Sequence, residues 1–339
     1  MTSARLSARE KFAPFRIEPR YVERVWGYRD LRPWYDYVAQ GDPIGEVWLT
    51  GDECRVATGP HAGKSLGALF AEAHEALLGA EAPDPQSPLL IKVLFAREKL
   101  SVQVHPDDQM ARKYGQPRGK TECWYALAAE PGAQVALGFK LGVTLSQITN
   151  SIAAGTLETD LNVLSVEAGD LIFVDAGTVH AIWPGAILLE TQQNSDVTYR
   201  MYDYGRPRQL HIEKSLEAVR LQTRAGKIAP RALADRTLLI DAEHFCMERV
   251  PVSGSRTSEG LRGPALAGGT ERPQGLAYLF AAAGTGTVRG SGFEPVDLPA
   301  RGIVAVPATA PEFVVDDRGG LDLIRITPDY GGSSLPVEH

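Results

Sequence analysis

The segment 100–105 carries three polar side chains at a spacing that could serve chemistry. In an extended chain, Ser101, Gln103 and His105 point to one face, whereas Val102 and Val104 point to the other. The valine face can pack in a core, and the opposite face presents a hydroxyl, an amide and an imidazole. Taken alone, this pattern more often belongs to a half-buried edge strand whose polar face meets solvent.

Two further segments supply an imidazole and a carboxylate. Residues 169–181 are typical of a strand, a tight turn and a returning strand, with Gly177 in the turn and His180 on the return. In residues 119–125, Lys120 and Glu122 share one face if a strand begins there. Each segment also has an ordinary interpretation, as a structural histidine and as a solvated charge pair.

A fourth segment, 190–206, combines acidic, amide and aromatic residues with an arginine. Glu190, Asp196 and Arg200 are separated by even numbers of residues, and Arg200 falls opposite the face of Tyr199 and Met201. By itself the segment is typical of a polar hairpin followed by an aromatic strand.

Together, these segments offer two imidazoles, a carboxylate and an amide oxygen on short strands. Such donors suit a first-row divalent metal ion: zinc accepts histidine and carboxylate in catalytic sites, and ferrous iron accepts two histidines and one carboxylate. A divalent ion with one carboxylate keeps a net charge of about +1, which favours an oxygen-rich anionic substrate. Lys120 and Arg200 would add to this attraction, and arginine suits phosphate.

The elements that must position these side chains are mostly short strands. Apolar periodicity predicts helices over 66–78, 145–154 and 215–221. Turn-bounded apolar or alternating segments predict strands. The predicted strands are 89–95, 100–105, 123–127, 133–139, 170–174, 186–191, 198–204, 277–282, 286–288, 303–306, 313–315 and 323–326. Many short strands and few helices indicate a mainly β chain built from antiparallel sandwiches or barrels.

Composition narrows the classes of protein. The 339 residues, with 35 Lys and Arg against 42 Asp and Glu, give a net charge of −7, which argues against nucleic acid as the main partner. Three separated cysteines favour a reducing cytoplasm. Residues 1–15 lack the apolar stretch of a secretory signal, and no apolar run approaches the ~20 residues that span a membrane. We therefore expect a cytoplasmic protein without a membrane partner.

Several segments taken in order resemble a known family. Gly169, Gly177 and His180 have the spacing of the second cupin motif, with Asp175 in place of its proline. Segments 101–108, 119–124, 180–181 and 190–203 resemble the type I phosphomannose isomerases in their short bacterial form. Weaker similarity lies in residues 25–27, 45–48 and 63–66, so the resemblance covers at least 26–206. The cupin motif serves many chemistries, whereas the ordered set is specific.

The resemblance implies two cupin-like β-barrel (jelly-roll) domains with a few short helices, and one zinc ion per chain. It also assigns roles to single residues. It places zinc ligands at Gln103, His105, Glu122 and His180, an active-site arginine at Arg200, a lysine at Lys120, a pocket serine at Ser101, and acidic residues near the sugar at Glu190 and Asp196. Ile182 stands where longer members of the family have an aromatic residue, two positions after the second histidine.

The implied activity is the interconversion of mannose 6-phosphate and fructose 6-phosphate through a cis-enediol. Zinc would stabilise the charge that develops on the carbonyl oxygen. Lys120 is the first candidate for the base, because a nearby metal and a dry pocket favour the neutral amine; Glu190 or Asp196 is the alternative. Arg200 either binds the phosphate or stabilises the enediolate. The partner is then a small phosphorylated sugar, and we expect a monomer or a weak dimer.

Two other classes of protein remain open. A non-enzymatic sugar-phosphate sensor would bind substrate in the same pocket without turnover, although Lys120 and Arg200 beside a metal argue against it. An iron-dependent cupin oxygenase could use His105, Glu122 and His180. Gln103 and the Lys120–Glu122 element argue against the oxygenase.

The C-terminal part provides a separate expectation. We place a domain boundary at 229–236, which gives a catalytic domain over 1–235 and a second cupin-like domain over 236–339. In residues 302–312 a similar turn has Glu312 where the motif has histidine. The second domain is therefore expected to hold no metal.

Overall fold

The computed structural model describes residues 12–80, 82, 84–258, 261 and 275–329. This part of the chain is mainly β, as the sequence predicted, with four short α-helices. They are α1 (Leu66–Leu78), α2 (Asp108–Lys113), α3 (Leu145–Ala154) and α4 (Ile212–Ala218), and a 3-10 turn covers Leu157–Asp160. None of the helices in the described ranges is long and apolar enough to cross a membrane.

Thirteen strands precede residue 203. They are β1 (Phe15–Glu18), β2 (Arg20–Tyr28), β3 (Ile44–Trp48), β4 (Arg55–Val56), β5 (Leu89–Phe95), β6 (Val102–Val104), β7 (Glu122–Ala129), β8 (Gln134–Phe139), β9 (Leu161–Ser165), β10 (Leu171–Val174), β11 (His180–Ile182), β12 (Ala186–Gln193) and β13 (Tyr199–Tyr202).

Eleven more strands follow in the described residues. They are β14 (Gly226–Ile228), β15 (Arg231–Ala232), β16 (Thr237–Asp241), β17 (Phe245–Pro251), β18 (Ser255–Thr257), β19 (Ala277–Ala283), β20 (Gly286–Gly290), β21 (Phe293–Leu298), β22 (Ile303–Val306), β23 (Phe313–Asp317) and β24 (Asp322–Pro328).

The described chain forms two compact units. One, the C-terminal unit, comprises the described residues of Ala229–Val337 together with Trp48–Leu89 and those up to Arg20; the other, the central unit, comprises Tyr21–Val47 and Leu90–Ile228. The change of unit at Ala229 lies in the predicted boundary region. The units are not two contiguous halves, however, because 48–89 and the stretch up to Arg20 join the later residues. The functional assignment of the two domains stays a prediction.

Antiparallel pairing builds two sheets in the central unit. The seven-stranded sheet has the order β14-β10-β7-β12-β5-β3-β2, and the five-stranded sheet has the order β13-β6-β11-β8-β9. One apolar cluster, with Trp124 and Ile172, contains side chains of both sheets. A second cluster, with Val102 and Val104, joins strands of the five-stranded sheet to residues of the helices. The valine face predicted for residues 100–105 is therefore a core face.

The C-terminal unit also contains two antiparallel sheets. Their orders are β15-β16-β17-β24-β19-β22-β1-β4 and β18-β23-β20-β21. Glu312 is exposed in the turn before β23. That this unit holds no metal stays a prediction, and residues 259–260 and 262–274 of the linking stretch lie outside the described residues.

Local sequence explains where the helices begin. Asp107 caps α2 by accepting a hydrogen bond from the Met110 backbone N–H, and Thr144 caps α3 in the same way through Gln147. Helices α1 and α3 have the predicted bounds, whereas α4 begins three residues before its prediction. The sequence did not predict α2, whose six residues are too few for an apolar stripe.

Candidate metal centre

Three neighbouring strands of the central unit bring the predicted ligands together. Gln103 lies in β6 and pairs in register with His180, the first residue of β11. His105 follows the end of β6, and Glu122 begins β7 of the other sheet. The turn before β11 contains Gly177 with φ 90°, a conformation that glycine adopts without strain, as the sequence predicted.

The donor atoms of His105, Glu122 and His180 converge in the interior. Glu122 Oε2 lies 3.6 Å from His105 Nε2, and Glu122 Oε1 lies 3.5 Å from His180 Nε2. All three side chains are about 1% exposed. Two ligand atoms at about 2.1 Å from one ion and at tetrahedral angles are about 3.4 Å apart. The observed distances from the Glu122 oxygens to the two imidazole nitrogens are therefore short enough for all three side chains to bind one metal ion.

Backbone carbonyls fix both imidazoles with the Nε2 lone pair toward this point. His105 Nδ1 donates to the carbonyl of Val197 at 2.8 Å, and His180 Nδ1 donates to the carbonyl of Thr178 at 3.0 Å. Burial lowers the pKa of His180 to about 4, and burial with the Lys120 charge lowers the pKa of His105 well below its usual value. Both rings are then neutral near pH 7, which is the ligating form.

Gln103 stands beside the same point. Its Nε2 lies 3.2 Å from His180 Nε2, and its Oε1 accepts a hydrogen bond from Ser101 Oγ at 3.1 Å. Rotating the amide by half a turn exchanges its two ends and directs Oε1 to the point shared with His180. Ser101 is thereby placed to hold the amide in either orientation, because a hydroxyl both donates and accepts.

Lys120 reaches into the donor set. Its Nζ lies 2.8 Å from Glu122 Oε2, 3.1 Å from His105 Nε2 and 3.6 Å from Glu190 Oε1. The ammonium group thus interacts with two atoms that a metal ion would use. A cation is favoured at this point, because two carboxylates and a neutral imidazole surround it.

Glu190 lies on β12, the strand next to β7, and is buried. Its Oε2 forms an ion pair with Lys92 at 2.8 Å, and Trp124 Nε1 donates to its Oε1 at 3.4 Å. Burial alone would raise the pKa of Glu190, but Lys92 and Lys120 outweigh burial and lower it. Burial and the Glu190 carboxylate raise the pKa of Glu122. The pKa values of the two acids are therefore shifted in opposite directions. The ionised form of Glu122 is the one that an added cation would stabilise more.

A cavity of about 380 Å³ opens onto these residues. Its lining is strongly charged and contains the side chains of Gln103, Lys120, Glu122 and Glu190 together with those of Ser101, Ile182, Asp196, Arg200, Arg208, Arg24, Glu46 and Lys92. His105 and His180 lie behind this lining, next to Lys120 and Gln103. All nine predicted site residues therefore lie in or directly beside one cavity of the central unit; their individual roles stay predictions.

Arg200 and Arg208 line this cavity, as Arg24 does. Arg200 Nη1 donates to the carbonyl of Gln209 at 2.8 Å, and its buried Nε has no hydrogen-bond partner among the described residues. Arg208 is held by two hydrogen bonds to the Asp203 carboxylate, at 2.6 and 2.7 Å. Guanidinium groups that line the same cavity are suited to binding a phosphate. Asp196 is exposed at the rim, unlike Glu190.

The donor set fits a metal ion for two reasons: the types of its ligand atoms, and a buried carboxylate oxygen that lacks a hydrogen-bond donor. Two neutral imidazoles, a carboxylate and an amide are ligands that zinc and ferrous iron accept. Glu122 Oε1 is buried and has no hydrogen-bond donor within the described part of the chain. Lys120 lies against Oε2 only, and a buried carboxylate oxygen without a donor is costly unless a cation satisfies it.

The sequence did not identify Lys92, Glu46, Arg24 or Arg208. Lys92 stands in the apolar run Leu89–Phe95, every residue of which is buried. A fully buried strand shows no alternation, so the pattern could not indicate that this lysine faces a cavity. Arg208 is brought to the wall by Asp203, a contact that periodicity cannot reveal.

Comparisons with known proteins identify relatives of this chain. The family model "Phosphomannose isomerase type I, catalytic domain" matches residues 15–138. A mannose-6-phosphate isomerase from Streptococcus mutans is 35% identical over 256 residues, which cover 71% of this chain and 80% of that protein. A probable mannose-6-phosphate isomerase from Bacillus subtilis is 34% identical over 257 residues, which cover 71% of this chain and 80% of that protein.

Solved structures show the same fold. The crystal structure of the mannose 6-phosphate isomerase from Bacillus subtilis superposes with a TM-score of 0.80 at 28% identity, covering 93% of this chain and all of that one. A putative mannosephosphate isomerase from Archaeoglobus fulgidus has a TM-score of 0.73 at 22% identity, covering 95% of this chain and 99% of that one. At that lower identity the likeness concerns the fold alone.

Proposed function

This chain belongs to the type I phosphomannose isomerases, and from that membership and its cavity we propose that it interconverts mannose 6-phosphate and fructose 6-phosphate. The proposed metal is zinc, one ion per chain, held by Gln103, His105, Glu122 and His180. The observation that carries the proposal is the convergence of two neutral imidazoles and a buried carboxylate at a cavity that Arg200 and Arg208 also line.

The proposed chemistry moves one proton between adjacent carbons of the open-chain sugar. A base takes the proton from C2 while the aldehyde oxygen at C1 gains one, which gives a cis-enediol. The enediol then loses a proton from the oxygen at C2 and gains one at C1, so that the ketose forms without net change in atoms or charge. When bound, zinc supplies Lewis-acid stabilisation of the oxygen on which negative charge develops.

Lys120 is the first candidate for the base. It lies within the cavity, and its only anionic contacts in the described residues are Glu122 and Glu190. A divalent cation on Glu122 would take that carboxylate from the ammonium group and favour the neutral amine that accepts a proton. Glu190 is the alternative, since its carboxylate is ionised and buried; Asp196 at the rim is a third.

Arg200 and Arg208 are proposed to bind the phosphate. Both side chains line the cavity, and the Asp203 carboxylate fixes Arg208 in place. A guanidinium with an unused N–H can complete a bidentate contact to phosphate oxygens. Ser101 and Ile182 would then contact the sugar between the phosphate and the metal ligands.

The test is a coupled assay that follows fructose 6-phosphate made from mannose 6-phosphate. We expect turnover by purified protein, loss of at least about 100-fold after chelator treatment and gel filtration, and recovery when one equivalent of zinc is returned. Full activity without metal would reject the metal mechanism. Binding of the sugar phosphate without turnover, in zinc-loaded protein, would reject the isomerase and favour a sensor.

A further inference from the structure

Charged side chains from five neighbouring strands form a line across the seven-stranded sheet. The strands β7, β12, β5, β3 and β2 are adjacent in that order, and each contributes one charged residue. These residues, called the charge ladder here, are Glu122, Glu190, Lys92, Glu46 and Arg24. The line runs from the candidate metal centre to a partly exposed arginine, and all of its members line the same cavity.

Direct contacts join four of the members in sequence, from Arg24 to Glu190. Arg24 donates from Nε and Nη2 to the two oxygens of Glu46, at 3.0 Å each. Lys92 Nζ lies 3.8 Å from Glu46 Oε2 and 2.8 Å from Glu190 Oε2. The lysine is therefore held between two carboxylates, one of which is fixed by a fork of two hydrogen bonds.

Lys92 is a charged residue buried in an otherwise apolar strand. Its side chain is 4% exposed, and the other six residues of its strand, Leu89–Phe95, are apolar. A well-packed apolar residue of similar length is often at least as stable as a buried ion pair. Burial alone would lower the pKa of Lys92, but Glu190 and Glu46 outweigh burial and raise it. A permanent cation is thus built under the cavity.

Lys92 pairs with only one of the two carboxylate oxygens of Glu190, and the other oxygen lies on the side of Lys120. Lys92 binds Oε2, whereas Oε1 lies 3.6 Å from Lys120 Nζ and accepts a hydrogen bond from Trp124. Without the lysine, the carboxylate could rotate about its last bond and turn toward Glu122 or the solvent. The ladder therefore determines which oxygen of Glu190 meets Lys120.

We propose that Lys92, anchored by Glu46 and Arg24, is a positioning residue for the isomerisation, and that it acts through Glu190. Lys92 itself does not move a proton in this scheme; it keeps Glu190 Oε1 directed at Lys120 during the reaction. This inference rests on the proposed function, because a positioning role needs a reaction to serve.

The test is a double-mutant cycle on turnover with Lys92→Met and Glu190→Gln. We expect each single variant of the zinc-loaded protein to lower kcat by about 100-fold with a smaller change in KM. Since Lys92 acts through Glu190, the double variant should lie within about threefold of Glu190→Gln alone. Losses that multiply, or a Lys92→Met variant with the wild-type kcat, would overturn the proposal.

A second measurement separates positioning from folding. Arg325→Met is the matched control, because Arg325 pairs with buried Glu248 across two strands of the C-terminal unit. Both Arg325→Met and Lys92→Met should lower the denaturant midpoint, but only Lys92→Met should lower kcat of the folded fraction. Equal kcat losses in both variants would show that Lys92 contributes only to stability, as the Arg325–Glu248 ion pair does.

Failure of the proposed function has a different outcome. If zinc-loaded wild-type protein does not isomerise mannose 6-phosphate, the proposed function is wrong and the kinetic cycle has no baseline. The denaturant midpoints of the same three variants then still measure the coupling between Lys92 and Glu190. A double variant no more stable than the additive expectation would show that the two side chains do not interact.

Discussion

The ammonium group of Lys120 lies 2.8 Å from Oε2 of Glu122, inside the set of atoms proposed to bind the metal. The same group lies 3.1 Å from His105 Nε2, so it shares two lone pairs with any ion that enters. A metal ion and this ammonium group cannot use those lone pairs together. Loading must therefore move Lys120, and Glu190 Oε1 at 3.6 Å is the nearest carboxylate oxygen still open to it.

We therefore expect Lys120→Met to bind zinc at least about tenfold more tightly than wild type, because two unit charges about 4 Å apart repel by several kcal/mol at the low effective dielectric of a partly buried site. The measurement is a competition titration against a chromogenic chelator at fixed pH. Turnover should fall by at least about 100-fold if Lys120 is the base.

Lys113→Met is the control for the Lys120 experiment, because Lys113 is exposed and pairs with Glu217. Its zinc affinity and turnover should match wild type. Weaker zinc binding by Lys120→Met would contradict the competition and assign Lys120 a supporting role in the metal centre.

Strand alternation correctly predicted which side chains of residues 100–105 share a face. Ser101 and Gln103 share the cavity face and Val102 and Val104 lie in the core, because a two-residue period is a property of the extended backbone itself. Helix α1 was likewise predicted to its ends, since its apolar residues recur at the helical period.

The rest depends on contacts between residues far apart in the chain. Lys92 meets Glu46 and Glu190 only because β5 lies between β3 and β12 in the sheet, and strand order is not written in local periodicity. Glu122 and His180 are 58 residues apart, and the resemblance to a family, not their spacing, predicted that they meet. Grouping the residues up to Arg20 with the C-terminal unit was missed for the same reason.

Arg200→Ala should lower turnover far more than it lowers metal content. Arg200 lines the cavity, but it does not contact His105, Glu122 or His180 in the described interactions, so a zinc content near wild type is expected. Losing one guanidinium from a charged transition state typically costs about 100- to 1000-fold in kcat. Steady-state assays with zinc measured by atomic absorption on the same samples provide the comparison.

Arg200→Lys refines the Arg200 experiment. Lysine keeps the charge but not the two-pronged donor, so a phosphate clamp predicts a raised KM with partial turnover. Proportional loss of zinc and of activity in Arg200→Ala would instead make Arg200 a scaffold residue.

The hydrogen bond between His211 and the Arg200 backbone should make the stability of the folded protein depend on pH. His211 Nδ1 accepts a hydrogen bond from the Arg200 backbone N–H at 3.2 Å, which only the unprotonated nitrogen can do. Burial, with Arg200 and Lys214 nearby, lowers the pKa of His211 in the folded protein. The unfolded chain then binds more protons just below pH ~6.5, so this contribution to stability is present above pH ~6.5 and is lost as the pH falls.

The His211 prediction is tested with His211→Asn, which does not titrate. Between pH 7.5 and 5.5, the urea midpoint of wild type should fall more than that of the variant, and the difference isolates one imidazole from the other titrating groups. Identical pH dependence in the two proteins would contradict the assignment.

Gly119→Ala should impair the site through the backbone that carries Lys120. A Cβ at this position would lie 2.4 Å from the carbonyl carbon of Asp107 and 2.6 Å from the Asp108 nitrogen, so the main chain must shift. The Gly119 backbone N–H also donates to Asp108 Oδ1 at 2.7 Å, which ties Lys120 to the start of α2. We expect a loss of about 1–3 kcal/mol in the free energy of unfolding, as for other overpacked sites, and a fall in kcat.

Gly319→Ala is the matched control for Gly119→Ala, because Gly319 is exposed and its added Cβ would meet only Thr285 Oγ1 at 3.3 Å. Its unfolding free energy should stay within about 0.5 kcal/mol of wild type and its kcat should be unchanged. Denaturant unfolding and the isomerase assay on both variants decide the question. If Gly119→Ala kept wild-type turnover while losing stability, the close approach would serve folding alone, and Lys120 would not depend on the position of its neighbour.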